Sequence, residues 1–199
     1  MHTSIYKPEE DSYLLQESLI TYLKDKSKSI SILDMGSGSG IQAKTCKSLK
    51  FKNIQTADIN LEAIKHLRKQ KLISLHSDLF SNIKDKFDLI IFNPPYLPDD
   101  KREPKESKLF TTAGKKGNEI IIEFLKQAKT HLKSNASILL LFSTLSKPKT
   151  ILSKAKQLNY QYKKLNSKKL FFEELFVYEL IPLKQIPYKH IINHHIIYK

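Results

Sequence analysis

Cysteine is almost missing from this chain: Cys46 stands alone among 199 residues, so neither an internal disulfide nor a thiolate metal site can be built from it. A buried structural thiol is the expectation. No apolar run approaches the roughly 20 residues that span a bilayer, and the opening MHTSIYKPEED lacks the apolar core of a secretory signal. A cytoplasmic protein away from membranes is expected. Glycine is scarce as well, five in all, and three of the five fall together at Gly36, Gly38 and Gly40. Acidic residues are outnumbered, 20 against 34 basic, giving a net charge of +14. Such a balance suits polyanionic surroundings such as ribosome or RNA, while a lysine- and isoleucine-rich composition with lysines on solvated faces accounts for it equally well.

What is present is ordinary for a folded domain: 40% hydrophobic and 27% charged residues exclude wholesale disorder. A chain of this length makes one domain that buries roughly 70% of its unfolded surface, with little room for a second. Apolar residues recur at helical spacing over 13–24, behind an acidic start suited to a helix N-terminus. SISILDM then reads as a strand, GSGSG as a turn and IQAKTCKSLK as a helix. The pattern repeats with NIQTAD, LEAIKHLRKQ and LISLHSD, and FDLIIFNPPY supplies a fourth strand. Residues 97–116 are charged and broken by prolines, which predicts a long functional loop. A helix over 117–133, a buried strand at SILLLFS, a helix over 149–160 and two closing strands follow. Strands alternating with helices and ending in a hairpin indicate an α/β doubly wound, mostly parallel sheet with an antiparallel C-terminal edge. The domain is expected over 1–181, leaving 182–199 as a tail of unassigned role. His190 and His194 in that tail lack further ligands, so no metal site is expected there.

The chemistry concentrates at strand ends. Asp34 leads into Gly36 and Gly38, where an open parallel sheet binds ligands and where glycine lets backbone approach a cofactor closely. The spacing to Gly40 is one residue short of the dinucleotide fingerprint, which argues against NAD. Asp58, ending the second strand, is placed to accept from two ribose hydroxyls, and Asp78 beside Leu79 to accept from an adenine amino group. Asp34 is placed to meet an ammonium end. Asn93-Pro94-Pro95-Tyr96 closes the fourth strand with a stiff turn rich in acceptors, able to grip an NH2 group and align its nitrogen with a methyl donor. Tyr96 is expected to cover the flat face of that target.

These residues resemble the class I methyltransferases of the HemK/PrmC type, which methylate the glutamine of the Gly-Gly-Gln motif in peptide chain release factors. Beyond Asn93-Pro94-Pro95-Tyr96, the opening Tyr6-Lys-Pro-Glu-Glu-Asp-Ser12 is similar to the start of the eukaryotic and archaeal branch, and the likeness covers about residues 5–180. It implies a seven-stranded Rossmann-like sheet and S-adenosyl-L-methionine as cofactor. It further implies contacts from Ser12, Asp34, Gly36, Asp58, Asp78, Leu79 and Asn93, with Glu10 and Asp11 in support. Asn93 would also hold the substrate amide. Ala113 stands where the family's glycine-rich segment after the substrate loop has its first glycine. A small zinc-binding activator protein covering an apolar sheet edge is implied by the same likeness. The competing reading is a nucleic-acid methyltransferase acting on an exocyclic adenine or guanine amine, which the same turn would also grip. Methylation of a protein lysine, or cofactor binding without catalysis, is compatible with the same residues.

Overall fold

The computed structural model describes residues 5–97 and 114–183. The tail beyond Leu183, most of the 97–116 loop and Ala113 lie outside them.

The acidic residues at the chain start open the first helix earlier than the apolar periodicity does. α1 runs Glu10–Leu23 with Glu10 and Asp11 in its first turn, and buries Leu14, Leu15, Leu19 and Leu23. β1 (Ser31–Met35), α2 (Ile41–Ser48), β2 (Asn53–Asp58), α3 (Leu61–Lys69), β3 (Ile73–His76) and β4 (Phe87–Phe92) follow in chain order. Then come α4 (Glu119–Ala128), β5 (Leu132–Ser143), α5 (Pro148–Gln157), β6 (Tyr160–Lys169) and β7 (Glu174–Pro182). α3 is capped by the Asn60 side chain, which accepts from Glu62 N at 3.0 Å.

The seven strands form one sheet in the order β3-β2-β1-β4-β5-β7-β6. The first five are mutually parallel, and β7 is antiparallel to both β5 and β6. The C-terminal hairpin forms as expected, with the antiparallel strand one place in from the rim. Composition explains this order: β7 buries Leu175, Val177 and Leu180, whereas β6 carries Lys163, Lys164, Lys168 and Lys169 facing solvent. A lysine-studded strand is a soluble edge, and an apolar one is not.

Both faces of the central strands are covered, which is why they read as unbroken apolar runs. On β4, Phe87, Ile90 and Phe92 point to the layer formed with α4 and α5. Leu89 and Ile91 point the other way, to the layer containing Leu15 and Leu19 of α1 and Ala43 and Cys46 of α2. Cys46 is fully buried, as expected, and burial followed by the negative charge of Asp34 pushes its thiol up to about 12. No helix among the described residues is long and apolar enough to cross a membrane.

Candidate active site

The sheet reverses its winding between β1 and β4, since β2 and β3 lie on one side of β1 and β4 and β5 on the other. A crevice must open at the carboxyl ends of strands flanking such a point. A cavity of about 450 Å³ is found there, within the range that takes a small-molecule ligand.

The loops after β1, β2, β3 and β4 and the first turn of α1 converge on it. After β1, Gly36, Gly38 and Gly40 all take left-handed backbone, with φ of 60°, 49° and 76°. Gly40 is also a packing requirement: a Cβ there would collide with Cδ2 of Leu67 on α3. A Cβ at Gly36 would come within 3.2 Å of the Phe92 ring, so the glycine turn and the residue before Asn93 are in direct contact. Asp34 is buried, and its Oδ2 accepts from Ala43 N at 3.0 Å. Burial, only partly relieved by that N–H and reinforced by the charge of Asp58, pushes its carboxyl up to about 7. Asp58 accepts from Gly38 N at 2.7 Å and from Asn60 N at 2.8 Å. Burial raises its carboxyl while those two N–H groups pull it back. Asp78 follows β3 and is exposed, and Leu79 has φ 44° with its carbonyl accepting from Ser77 Oγ at 2.7 Å.

Beyond β4, Asn93 Nδ2 donates to Asp11 Oδ2 at 3.0 Å, and Asn93 Oδ1 is buried without a partner. Asp11 Oδ1 accepts from the Tyr6 hydroxyl at 3.1 Å and from Ser12 N. Gln42 of α2 donates through Nε2 to the Ser12 carbonyl at 2.9 Å, and its own Oε1 is a second buried, unpartnered acceptor.

Of the residues singled out from sequence, Ser12, Asp34, Gly36, Gly38, Asp58, Asp78, Leu79, Asn93, Pro94 and Pro95 all line this one cavity. Tyr96 does not. Its ring packs against both core layers and its carbonyl accepts from Ser146 Oγ at 3.1 Å, so in the structure it anchors the turn to the loop after β5. Tyr6, Gln42, Glu119 and Glu123 also line the cavity without having been singled out for it. Gln42 and the two glutamates lie inside helices, where nothing in the local pattern separates a site residue from a solvated one. The glycine after Ala113 is needed as such: Gly114 has φ 99°, and a Cβ would fall 2.8 Å from Cδ of Glu119. Glu119 is held below the usual glutamate range despite the opposing effect of burial, because its own, Lys116 and Asn118 backbone N–H groups donate to it.

Around the cavity stand Asp11, Asp34, Asp58, Asp78, Glu119 and Glu123, and no Lys, Arg or His among the described residues lines it. An acidic interior in a protein of net charge +14 attracts a cationic ligand and repels a phosphate. The arrangement thus offers carboxylates at the ends of β1 and β2 and beyond β3, a close backbone approach at the glycines, and an unpaired amide oxygen at the end of β4.

The profile of the methyltransferase small domain matches residues 15–170. The chain belongs to that family. Among its relatives is a Methanocaldococcus jannaschii protein provisionally named a protein N5-glutamine methyltransferase, 34% identical over 169 residues that cover 81% of this chain and 83% of the relative. A release factor glutamine methyltransferase of Fusobacterium nucleatum is 34% identical over 113 residues, or 52% of this methyltransferase and 32% of that protein. The chain thus spans only about a third of that bacterial relative. In fold it is similar to the Mtq2-Trm112 complex of E. cuniculi, described as responsible for methylating the translation termination factor eRF1. That likeness has a TM-score of 0.73 at 23% identity and covers 90% of this chain and 99% of the other.

Proposed function

We propose that this methyltransferase uses S-adenosyl-L-methionine to methylate the side-chain amide of a glutamine, most specifically the Gly-Gly-Gln glutamine of a peptide chain release factor. The observation that carries the reading is Asn93: it lines an acidic cavity, and its Oδ1 is a buried acceptor without a donor. A primary amide is the donor that completes it.

The residues present fit the cofactor. Asp58 keeps lone pairs for the ribose hydroxyls after serving Gly38 and Asn60, and Asp34 faces the ammonium end. Asp78 and Leu79 lie where the adenine would sit, and Ser12 and the Gln42 Oε1 acceptor close the other wall. The acidic lining suits a sulfonium and an ammonium. When bound, S-adenosyl-L-methionine supplies an electrophilic methyl group on sulfur. The protein's part is orientation. An amide nitrogen is a weak nucleophile because its lone pair is delocalised, so acceptors that take both its hydrogens help present that lone pair to the methyl carbon. Asn93 Oδ1 and the carbonyl of Pro94 are the available acceptors, and the missing N–H groups of Pro94 and Pro95 leave no competing donors. Asn93 and the Pro94 carbonyl would hold the amide nitrogen toward a cofactor that would supply the methyl group and keep the carbon–sulfur electron pair, and the nitrogen's proton would leave to solvent. Tyr96 secures the turn through its packing and its carbonyl.

The relatives' names support glutamine as the target. The absence of a lining cation among the described residues supports a protein over a nucleic acid, because a captured base brings its phosphates with it. A small zinc-binding activator is proposed on the β3 edge, where Ile59, Leu61 and Ile73 are exposed beside an open strand. The Mtq2-Trm112 complex supports such a partner, and proximity to the ribosome and RNA follows from the release factor and the positive charge.

The test is methyl transfer from labelled S-adenosyl-L-methionine to a release factor, to its Gln→Ala variant and to total RNA, with and without the activator. Label on the wild-type factor alone is expected. Label on RNA and on neither protein would overturn the proposal.

A further inference from the structure

An asparagine amide can present either of two opposite chemistries, a donor at Nδ2 or an acceptor at Oδ1. A half-turn about its last bond exchanges them with almost no change in shape. Nothing within the Asn93-Pro94-Pro95 turn decides which end faces the cavity. The decision comes from α1. Asp11 is 5% exposed, and its Oδ2 lies 3.0 Å from the Asn93 side-chain nitrogen. A carboxylate only accepts, so Nδ2 must be the end that faces it. Oδ1 is thereby turned away, and it is the end left buried and unpartnered. Asp11 is itself held by two further donors, the Tyr6 hydroxyl at 3.1 Å and the Ser12 N–H. Tyr6, Asp11 and Asn93 all line the cavity.

We propose that Asp11, steadied by Tyr6, is a specificity-determining positioning residue: by locking the Asn93 amide with its oxygen toward the substrate, it makes the site accept a glutamine side chain and reject the isosteric glutamate. This rests on the glutamine reading above. The discrimination is one of hydrogen-bond polarity. Glutamine brings an NH2 to the Asn93 oxygen, whereas glutamate brings a second acceptor, and two facing acceptors repel. A hydrogen bond to a charged group is also stronger than a neutral one, so a carboxylate at 11 holds the amide more firmly than a hydroxyl or water would.

Asp11→Asn removes the lock, because a neutral amide can either donate to or accept from Asn93 and both orientations become populated. The paired change Asp11→Asn with Asn93→Asp reverses the hydrogen bond and keeps its geometry. Asn at 11 then donates, and the carboxylate at 93 again turns an acceptor to the cavity.

The experiment measures the binding of a release factor and its Gln→Glu variant by calorimetry, with S-adenosylhomocysteine saturating, for wild type, Asp11→Asn and the paired change. Wild type is expected to prefer glutamine by roughly tenfold or more. With S-adenosylhomocysteine kept saturating for each variant, Asp11→Asn is expected to bring that ratio close to one, and the paired change to restore the preference for glutamine. A merely structural role for Asp11 predicts no restoration. If Asp11→Asn folds and keeps the wild-type ratio, or if the paired change fails to restore it, the inference falls while the glutamine reading stands. Wild type that does not methylate the factor, or shows no preference, overturns both.

Discussion

The carboxylate of Asp58 holds the backbone N–H of Gly38 at 2.7 Å, so the end of β2 fixes the shape of the turn after β1. One acid therefore has two tasks, shaping the glycine turn and, in the proposed function, binding the ribose. Asp58→Ala is expected to weaken cofactor affinity by roughly 100-fold, the scale of losing charged hydrogen bonds in a buried site. Asp58→Asn, which can still accept from Gly38, is expected to lose less. Equal affinities for Asp58→Ala and wild type in calorimetry would falsify the ribose assignment.

In the proposed function, Asp34 is expected to make cofactor binding depend on pH. Its carboxyl sits at about 7, raised above the ordinary value of 3.8. Only the ionised form attracts an ammonium, so affinity is expected to fall by up to about tenfold per pH unit as pH drops below 7. Near pH 7, binding should release a proton, which titrations in two buffers of different ionisation enthalpy detect as a difference in apparent heat. Identical heats in both buffers would remove Asp34 from the ammonium contact.

The same shift has the opposite sign for the fold without cofactor. A carboxyl raised in the folded state binds its proton more tightly there than in the unfolded chain. Its stabilising effect is complete below about 3.8 and is lost as pH rises to about 7. Asp34→Asn, which can still accept from Ala43, is expected to raise the melting temperature at pH 8 by roughly 2–4 °C for each kcal/mol recovered. Cofactor binding should weaken in the same variant. A lower melting temperature would show that the Asp34 charge supports the fold.

Asn93→Ala is expected to reduce kcat by roughly 100-fold or more with cofactor affinity nearly unchanged, since in the proposed function the lost acceptor serves the substrate. A variant with wild-type turnover would take Asn93 out of the mechanism.

Gly40→Ala tests the packing of the glycine turn against α3. Its Cβ would collide with Leu67 from a backbone of φ 76°, a conformation costly for any other residue. A loss of roughly 2–4 kcal/mol is expected from crowding plus backbone strain, read as a lower urea midpoint at unchanged slope. Full stability would mean that α3 can shift to accommodate it.

Local pattern was enough to read most of the architecture. Helical spacing marked α1, α3 and α4, and unbroken apolar runs marked β4 and β5, because burial of one face or two leaves different periods in the chain. Gly36, Asp58 and Asn93 were legible for a similar reason: each is the last residue of a strand or one just beyond it, where the topology puts ligands. Tyr96 shows where local reading stops. Its neighbours predicted a ring over the target, whereas the structure packs that half-buried ring against the two core layers.

By itself, then, the sequence determined which residues end the strands and what chemistry they carry, because those features depend on neighbours a few positions apart. Tertiary structure alone decided how they are aimed. The Asp11–Asn93 bond joins residues 82 positions apart, and the Ser12–Gln42 bond joins residues 30 apart. No local pattern encodes either one, because each exists only once α1 has packed beside α2 on the face of the sheet, bringing its first turn to the cavity.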